Sequence, residues 1–386
     1  MKIRARLVAV ALATGTTAWA QTQGVSKTEI VIGTIQDLSG PIAAFGKQVR
    51  QGMVLRVDEL NEQGGINGRK LVLKVEDSAY DPKRAVLSAQ KLVNQDKIFM
   101  MVGHIGTAQN IATFPVLFTK NIVNFFPVSA GREMFEAPNE GLKYAFAPTY
   151  YEGLKIAVPR LVKEKNAQKV CSLYQDDDYG LEVQKGAEDG LKAIGMSMLE
   201  KTTYKRGATD FSSQMQKLAA SQCDLVVLGT IIRETIGAIT TARRMNFNPT
   251  FLAAGAAYTE LIHKLGGPAV NGLYATMFAQ QPYMDEPSQP IRFWATKYHT
   301  KFGDEPSVYS IYGYNAVDVF AKAATQAGAG LSTESFVKAM NTMKVPADIF
   351  GTAEMTFSAT KRLGTTAARL SQIQDGRWKV VSPYFN

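Results

Sequence analysis

The sequence predicts an α/β protein built from two parallel sheets, each covered by helices on both faces. Short apolar runs of strand length alternate with helical patterns along the chain, which is typical of parallel sheets. The same rhythm starts a second time after Pro148, so two arrays of similar size are expected. The chain has 386 residues, and at roughly 150 residues per domain this length favours two or three domains. We therefore expect two doubly wound lobes.

The first array begins near residue 29 and contains four predicted strands. The helix after the first strand carries Val49, Met53 and Val57 on one face, at the spacing of an amphipathic helix. A second helix is expected to begin at Asp81-Pro82, with the acid as N-cap and proline in the first turn. The predicted strands span residues 29–35, 71–75, 97–102 and 121–126.

The second array repeats this alternation and is followed by a helical segment. Its predicted strands span residues 169–174, 196–203, 224–228 and 250–254, and its predicted helices span 179–194, 210–220 and 234–245. Three longer helices are expected over 290–302, 310–327 and 333–343. The tail from residue 354 alternates polar and apolar residues, which indicates further strand.

The first twenty residues have the pattern of a secretory signal peptide. Lys2, Arg4 and Arg6 precede a short apolar run, and Ala18-Trp19-Ala20 places small residues where a signal peptidase cleaves. The run is shorter than the roughly 20 residues that span a bilayer. No cysteine follows the cleavage motif, so a lipid anchor is excluded there. We expect cleavage after Ala20 and a periplasmic mature protein.

The composition excludes several functional classes. The chain is 46% hydrophobic and 20% charged, which is ordinary for a globular protein. The formal net charge is +9, but the basic residues are scattered, so no nucleic-acid partner is expected. The three histidines are far apart, and Asp176-Asp177-Asp178 is read as a solvated loop. We find no nucleophile motif and no nucleotide loop, so neither an enzyme, a metal nor a cofactor is predicted.

Several loops are expected at the carboxyl ends of the predicted strands, where parallel sheets bind ligands. They hold glycines or hydroxyl residues just before predicted helices, an arrangement that presents backbone N–H groups and positive helix ends to an anion. The loops span residues 36–41, 103–108, 127–130, 176–180, 230–233 and 255–258. A carboxylate ligand would therefore need no lysine.

Two cysteines lie in the second array. Cys171 falls on its first predicted strand and Cys223 just before its third, and these strands are neighbours in a doubly wound sheet. An oxidising compartment permits a bridge between them. Buried cysteines in strands usually act as small apolar side chains, so we favour two free thiols and keep the bridge as the alternative.

The mature chain resembles the leucine/isoleucine/valine-binding proteins, the type I periplasmic solute-binding proteins of ABC importers. The matching stretches follow in the family's order over almost the whole mature chain; they include residues 32–41, 61–69, 76–82, 91–93, 102–103, 178–180 and 209–212. The resemblance implies two lobes joined by three crossing segments, over residues 26–147 plus 279–352 and 148–278 plus 353–386. Both cysteines fall in the second lobe, so the family's disulfide in the first lobe is absent.

The resemblance also implies a binding site. In this family a hydroxyl and backbone amides hold the ligand carboxylate, an aromatic residue forms a wall, and a tyrosine closes over the ligand. The expected site residues are Phe45, Gly106, Thr107, Val128, Ser129, Ala130, Tyr151, Tyr179, Ile231, Arg233, Gly255 and Tyr258, with Tyr309 and Arg132 as further candidates. Gly255 stands where the family's amino-acid binders carry the acid that pairs with the ligand ammonium.

We therefore expect a monomeric receptor that delivers its ligand to the permease and ATPase of an ABC importer. Its captured solute is expected to be a small carboxylate, and an aromatic or branched hydrophobic acid is favoured because the ammonium partner is missing. A branched-chain amino acid is the alternative if Asp37, Asp178 or Glu234 replaces that partner. A ligand-sensing domain of a signalling receptor would use the same cleft.

Overall fold

Two doubly wound sheets organise the protein in a computed structural model, which describes residues 22–385. The predicted signal peptide lies outside the described residues. The strands are β1 (Glu29–Gln36), β2 (Lys70–Asp77), β3 (Met100–Val102), β4 (Asn124–Phe125), β5 (Lys143–Tyr144), β6 (Val170–Gln175), β7 (Glu200–Tyr204), β8 (Leu225–Gly229), β9 (Thr250–Ala253), β10 (Tyr274–Met277), β11 (Lys344–Val345), β12 (Met355–Thr356), β13 (Arg369–Gln374) and β14 (Arg377–Val380).

Eleven α-helices are found within residues 22–385. They are α1 (Ala43–Glu62), α2 (Pro82–Asn94), α3 (Thr107–Phe118), α4 (Tyr150–Lys165), α5 (Asp178–Ala193), α6 (Ser212–Ala220), α7 (Ile232–Arg244), α8 (Glu260–Gly266), α9 (Gln289–Phe302), α10 (Val308–Ala327) and α11 (Thr333–Met340). In the part of the chain that is described, no helix combines the length and the apolarity needed to cross a bilayer. Asp81 caps α2 as predicted, because its carboxylate accepts the N–H groups of Lys83 and Arg84.

The first sheet is parallel throughout, in the order β2-β1-β3-β4-β5. The second sheet has the order β14-β13-β10-β9-β8-β6-β7 and is parallel except for β13 and β14. In both sheets the first strand lies second from one edge, the next strand takes that edge, and later strands are added on the other side, which is the doubly wound topology. The predicted α/β class with two such sheets is confirmed.

Several predicted strands are shorter than expected, and the backbone explains two of them. The residues predicted as strand over 97–102 and 121–126 form strand only over β3 and β4. Lys97, Asn121 and Phe126 have φ values of 54°, 52° and 47°. This left-handed conformation lies outside the range that a strand allows, so pairing ends at these positions.

Three helices were not predicted, namely α3, α4 and the short α8, and the first two each contain a proline. Pro115 lies within α3 and Pro159 within α4. A proline in a helix interior removes a backbone hydrogen bond, so it counts against a helix when a sequence is read. The helices α3 and α4 both begin beyond the carboxyl ends of strands of the first sheet.

The chain crosses between the two sheets three times: after β5, after β10 and before β13. The last crossing lies later than the 352–353 boundary expected from the sequence. Phe357 packs on Phe126 and Tyr144, and Ala145 bridges to Leu363, so the chain up to Leu363 stays against the first sheet. We propose to move this boundary to the stretch between Leu363 and β13. The division into two lobes is otherwise kept as proposed.

A disulfide joins Cys171 on β6 to Cys223, which lies just before β8. The two Cα atoms are 5.9 Å apart, because β6 and β8 are adjacent and parallel. The neighbourhood of the two strands was predicted correctly. The preference for two free thiols was wrong.

Candidate functional site

A cleft lies between the two sheets, at the carboxyl ends of their strands. It encloses about 840 Å³ of space, its open mouth included. Residues from both sheets and from the three crossings line it. We call this set of residues the cleft throughout. Parallel α/β sheets place their ligands at this edge, because the loops there connect strands to helix N-termini.

Six helices begin at the wall of the cleft, each contributing a residue from its N-cap or first turn. They are α1 with Phe45, α3 with Thr107, α4 with Tyr150, α5 with Tyr179, α7 with Ile231 and α10 with Tyr309. The first N–H groups of a helix lack partners within it, and its dipole places partial positive charge at this end. The cleft therefore attracts an anion without a basic side chain.

Two hydroxyls from neighbouring loops form one polar spot on this wall. Thr107 Oγ1 and Ser129 Oγ are 2.8 Å apart and share a hydrogen bond. Thr107 opens α3 directly after Gly106, whose φ of 94° is accessible mainly to glycine. We call Thr107 and Ser129 the hydroxyl pair. Together with the adjacent backbone N–H groups, it offers donors to a carboxylate.

Tyr150 lies near the hydroxyl pair, whereas its neighbour Tyr151 was expected at the site from the sequence. Tyr150 lines the cleft. Burial raises the pKa of its hydroxyl to about 12, and the backbone N–H of Ala130 opposes this shift. Tyr151 does not line the cleft, because its hydroxyl bonds Asp189 at 2.7 Å and Arg132 covers its ring at 4.0 Å. The prediction of Tyr151 as a site residue is corrected to Tyr150.

Aromatic rings form much of the remaining wall. Phe45 and Tyr309 stack with ring centroids 3.7 Å apart, and Tyr150 meets Tyr179 edge-on at 4.9 Å. The Tyr179 hydroxyl donates to the carbonyl of Thr230 at 2.9 Å. Burial raises the pKa values of Tyr179 and Tyr309 well above their usual range, so both stay neutral. The wall is thus apolar, flat and uncharged.

Three further predicted site residues lie outside the cleft or contribute differently. Arg233 is exposed on the first turn of α7. Tyr258 is buried elsewhere: its hydroxyl accepts the N–H of Gln281 at 3.2 Å and its ring packs on Trp378. Arg132 forms a two-nitrogen ion pair with Glu182, at 2.7 to 3.1 Å. None of these three side chains lines the cleft.

No charged residue is among those that line the cleft within residues 22–385. The three acids considered as substitutes for the missing carboxylate are also elsewhere. Asp37 accepts the N–H groups of Ser39, Gly40 and Ile42. Asp178 is exposed, and Glu234 is buried in the first turn of α7, where desolvation raises its pKa.

Nine of the twelve expected site residues surround this one cleft. They are Phe45, Gly106, Thr107, Val128, Ser129, Ala130, Tyr179, Ile231 and Gly255. Sequence reasoning missed several lining residues of the same kind: Ile42, Tyr80, Ile105, Phe146, Tyr150, Thr276, Phe278 and Tyr312. Ile42 and Ile105 lie beside or within a predicted loop, and that proximity was the signal that could have found them. The other six lie in segments where no ligand loop was predicted. Their roles in binding are taken up below as a proposal.

A cleft between two doubly wound sheets that lacks charged groups is the site of a protein that captures a solute. Within residues 22–385, no carboxylate, histidine, lysine or cysteine lines this cleft. The chain belongs to the periplasmic binding protein family, whose model matches residues 29–377. This confirms the resemblance stated above. The family is extracytoplasmic, and its members are solute-binding proteins, not enzymes.

The relatives carry amino-acid-binding names. A Pseudomonas aeruginosa protein named amino acid binding protein is 28% identical over 303 residues, which cover 78% of this chain and 79% of the relative. The Leu/Ile/Val-binding protein homolog 8 of Brucella abortus is 26% identical over 335 residues, 82% of this chain and 81% of the relative. Within the periplasmic binding protein family, this chain is thus similar to proteins that carry amino-acid-binding and Leu/Ile/Val-binding names.

Solved structures share the fold at lower identity. A branched chain amino acid ABC transporter protein from Thermus thermophilus, with bound valine, has a TM-score of 0.84 at 18% identity, over 94% of this chain and 97% of that chain. A solute binding protein of an R. palustris ABC transporter, in complex with benzoate, has a TM-score of 0.81 at 16% identity, over 92% and 97%. At such identities the likeness shows the fold.

Proposed function

We propose that this protein is the substrate receptor of an ABC importer and captures a small hydrophobic carboxylate that carries no α-ammonium. The observation that carries the proposal is a cleft with six helix N-termini and no charged lining residue within residues 22–385. Aromatic acids and branched hydrophobic acids are the ligand classes with this combination of charge and shape.

The anionic end of the ligand is assigned to the hydroxyl pair. Thr107 Oγ1 and Ser129 Oγ can turn their protons toward a carboxylate, and the start of α3 adds backbone N–H groups. Hydrogen bonds to a charged acceptor are the stronger ones, roughly 1.5–3 kcal/mol each. Tyr150 lies beside this spot and stays neutral, so it adds a further donor.

An α-ammonium would find no partner in the same cleft. A buried unpaired charge is very unfavourable, because water no longer solvates it. Gly255 occupies the position where an acid is expected for amino-acid binding, and the nearest alternatives are engaged or exposed as described. The helix N-termini would repel the ammonium further. The lining of the cleft therefore favours acids without an ammonium over free amino acids.

A branched-chain amino acid is retained as a second candidate because the relatives point to it. The Brucella protein is named a Leu/Ile/Val-binding homolog, and the Thermus thermophilus structure holds valine. The R. palustris structure of the same fold holds benzoate, which has no ammonium. Structures of this fold thus hold both ligand classes, and the uncharged lining of this cleft favours an acid without an ammonium.

Delivery to a membrane permease with its ATPase is proposed from the family. The predicted signal peptide, with cleavage after Ala20, would place the receptor in the periplasm. A sensing domain for a signalling receptor would have the same cleft and a different partner. Neighbouring genes separate these readings: permease and ATPase genes support import, and a kinase or cyclase gene supports sensing.

A thermal-shift screen tests the ligand class. Benzoate, cinnamate and 4-methylpentanoate should raise the melting temperature, and leucine or valine should not. Stabilisation by leucine or valine alone would contradict the proposal. Mass spectrometry of small molecules released by denaturing the purified protein gives an independent readout of the captured solute.

Replacing Gly255 provides a sharper test of the missing acid. A Cβ atom there would lie 3.3 Å from the carbonyl oxygen of Thr276 and 3.6 Å from its hydroxyl, so a side chain needs only small adjustments. Gly255→Asp should weaken binding of the acids and permit leucine binding. Gly255→Asn has the same shape without the charge and serves as control. Equal behaviour of the two variants would contradict the electrostatic argument.

A further inference from the structure

Two hydroxyls on the wall of the cleft have no partner among the described residues. Thr276 lies on β10 and is buried, and Tyr312 lies on α10 with its ring 5.4 Å from that of Phe146. Both line the cleft. Burial raises the pKa of Tyr312, so its hydroxyl keeps its proton and can donate.

Most other hydroxyls of the cleft already take part in a hydrogen bond. Thr107 and Ser129 share one hydrogen bond, Tyr179 donates to Thr230, and Tyr309 donates to the carbonyl of Ala256 at 2.9 Å. The remaining cases are Thr149, which accepts the N–H of Glu152, and Tyr80, which accepts from Gln175. Tyr150 is close to the Ala130 N–H. Thr276 and Tyr312 therefore stand apart from the rest.

Thr276 lies on the wall opposite the proposed carboxylate position. The hydroxyl pair belongs to loops that follow β3 and β4 of the first sheet, whereas Thr276 belongs to the second sheet. A Cβ atom on Gly255 would touch Thr276, so this hydroxyl is next to the position that lost its acid. The polar group next to Gly255 is therefore the uncharged hydroxyl of Thr276.

From this arrangement we infer that the ligand carries a second, uncharged polar group at the end remote from its carboxylate, which Thr276 and Tyr312 recognise. The inference rests on the proposed function, because it takes the carboxylate position from it. A hydroxyl or carbonyl group fits this position. A second charge does not, since no charged residue within residues 22–385 lines the cleft. The substrate class is thus narrowed to hydroxy- or oxo-substituted hydrophobic acids.

The physical reason is the burial of polar groups on closure. A buried hydroxyl without a hydrogen-bond partner is destabilising, since it loses its contact with water. A ligand that is apolar at this end leaves Thr276 and Tyr312 in that condition. A ligand with a hydroxyl or carbonyl there satisfies both and should bind about three- to tenfold more tightly per hydrogen bond.

The test compares acids that differ only at the remote end. Benzoate, 3-hydroxybenzoate, 4-hydroxybenzoate and 4-methylbenzoate are titrated into the purified protein by calorimetry, together with cinnamate and 4-hydroxycinnamate. We expect at least one hydroxylated acid to bind about tenfold or more tightly than its parent and than the methyl analogue of similar size.

Variants then assign the effect to the two side chains. Thr276→Val and Tyr312→Phe should each remove most of the affinity advantage that the hydroxylated acid has over its parent acid. Thr250→Val, on the neighbouring strand, and Tyr151→Phe, outside the cleft, are matched controls that should retain the full advantage.

Each outcome decides between the claims. Equal affinity of parent and hydroxylated acids in the unmodified protein would overturn the inference and leave the carboxylate assignment intact. An advantage that persists in both variants would also overturn it, because the recognition would then lie elsewhere. Failure of every acid to bind would contradict the proposed function itself and, with it, the inference.

Discussion

Thr107 is the residue on which the proposed carboxylate site can be tested most directly. Thr107→Val keeps the shape of the side chain and removes its hydroxyl. Losing one hydrogen bond to a charged partner costs roughly 1.5–3 kcal/mol, so we expect the affinity for the captured acid to fall about 10- to 100-fold. Calorimetric titration measures the change. Thr119→Val, at the exposed far end of the same helix, is the control, and unchanged affinity in Thr107→Val would refute the assignment.

His104 should make the stability of the protein depend on pH. It is fully buried, neither ring nitrogen has a partner among residues 22–385, and burial lowers its pKa to about 3. In the unfolded chain a histidine has a pKa of about 6.5. Below that pH the unfolded chain takes up a proton that the folded protein excludes, so stability is complete above about pH 6.5 and falls as the pH approaches 3.

The expected loss from His104 is about 2 kcal/mol between pH 6.5 and pH 5. Urea unfolding at both pH values measures it. The variant His104→Gln cannot titrate there and should show a flatter pH profile, whereas His299→Gln replaces an exposed histidine and should not alter the profile. A profile that is unchanged in His104→Gln would contradict the argument.

Single residues also show how far the sequence could predict the site. The loops follow from strand order, because the carboxyl ends of parallel strands meet at one edge. The choice of Thr107 and Ser129 within them comes from the family resemblance. Whether Tyr150 or Tyr151 faces the cleft depends on the helical phase. Consecutive residues of a helix point about 100° apart, and the start of α4 could not be located to one residue from its pattern.

At the scale of elements, the disulfide between Cys171 on β6 and Cys223 also shows what the sequence could and could not predict. The order of the strands, and so the approach of Cys171 to Cys223, was predictable from the alternating pattern. The choice between a bridge and two thiols depends on side-chain direction at adjacent strands, which strand order alone does not specify. The two Cα atoms lie 5.9 Å apart, within the usual range for a bridge.

We expect this disulfide to stabilise the second sheet. It closes a loop with a sequence separation of 52 residues. Restricting the unfolded chain in this way typically contributes about 2–4 kcal/mol. The double variant Cys171→Ala/Cys223→Ala should unfold at correspondingly lower urea, and the reduced unmodified protein should approach it. Thiol titration of denatured, unreduced protein should find no free thiol; two free thiols would contradict the bridge.

At the scale of the whole molecule, an ion pair connects the two sides of the cleft. Arg132 lies in the connection between β4 and β5 of the first sheet, and Glu182 belongs to α5 beside the second sheet. The guanidinium holds both carboxylate oxygens, and Glu182 raises the pKa of Arg132. The pair therefore favours the arrangement in which the two walls approach each other.

Glu182→Gln should weaken ligand binding without touching the ligand. The pair is only partly shielded from water, so we expect a loss of roughly 1–2 kcal/mol, about 5- to 30-fold in affinity. The control is Glu188→Gln, also on α5, which disrupts an exposed ion pair with Lys201 on β7. Small-angle scattering of the ligand-free variant should show a more open particle; identical scattering and affinity would argue against a role in closure.

The division of the helix N-termini between the two walls has a consequence for the rate at which the ligand leaves. Helices α1, α3 and α10 pack with the first sheet, and α4, α5 and α7 with the second, so a trapped anion faces positive helix ends from both directions. The influence of a helix end fades within about one turn. When the walls separate, the anion keeps one set of helix ends and regains water in place of the other. The rate of dissociation would then be set by the rate at which the cleft opens. A membrane partner that holds the two walls apart would therefore release the solute, and it would need to supply neither a proton nor a competing ion.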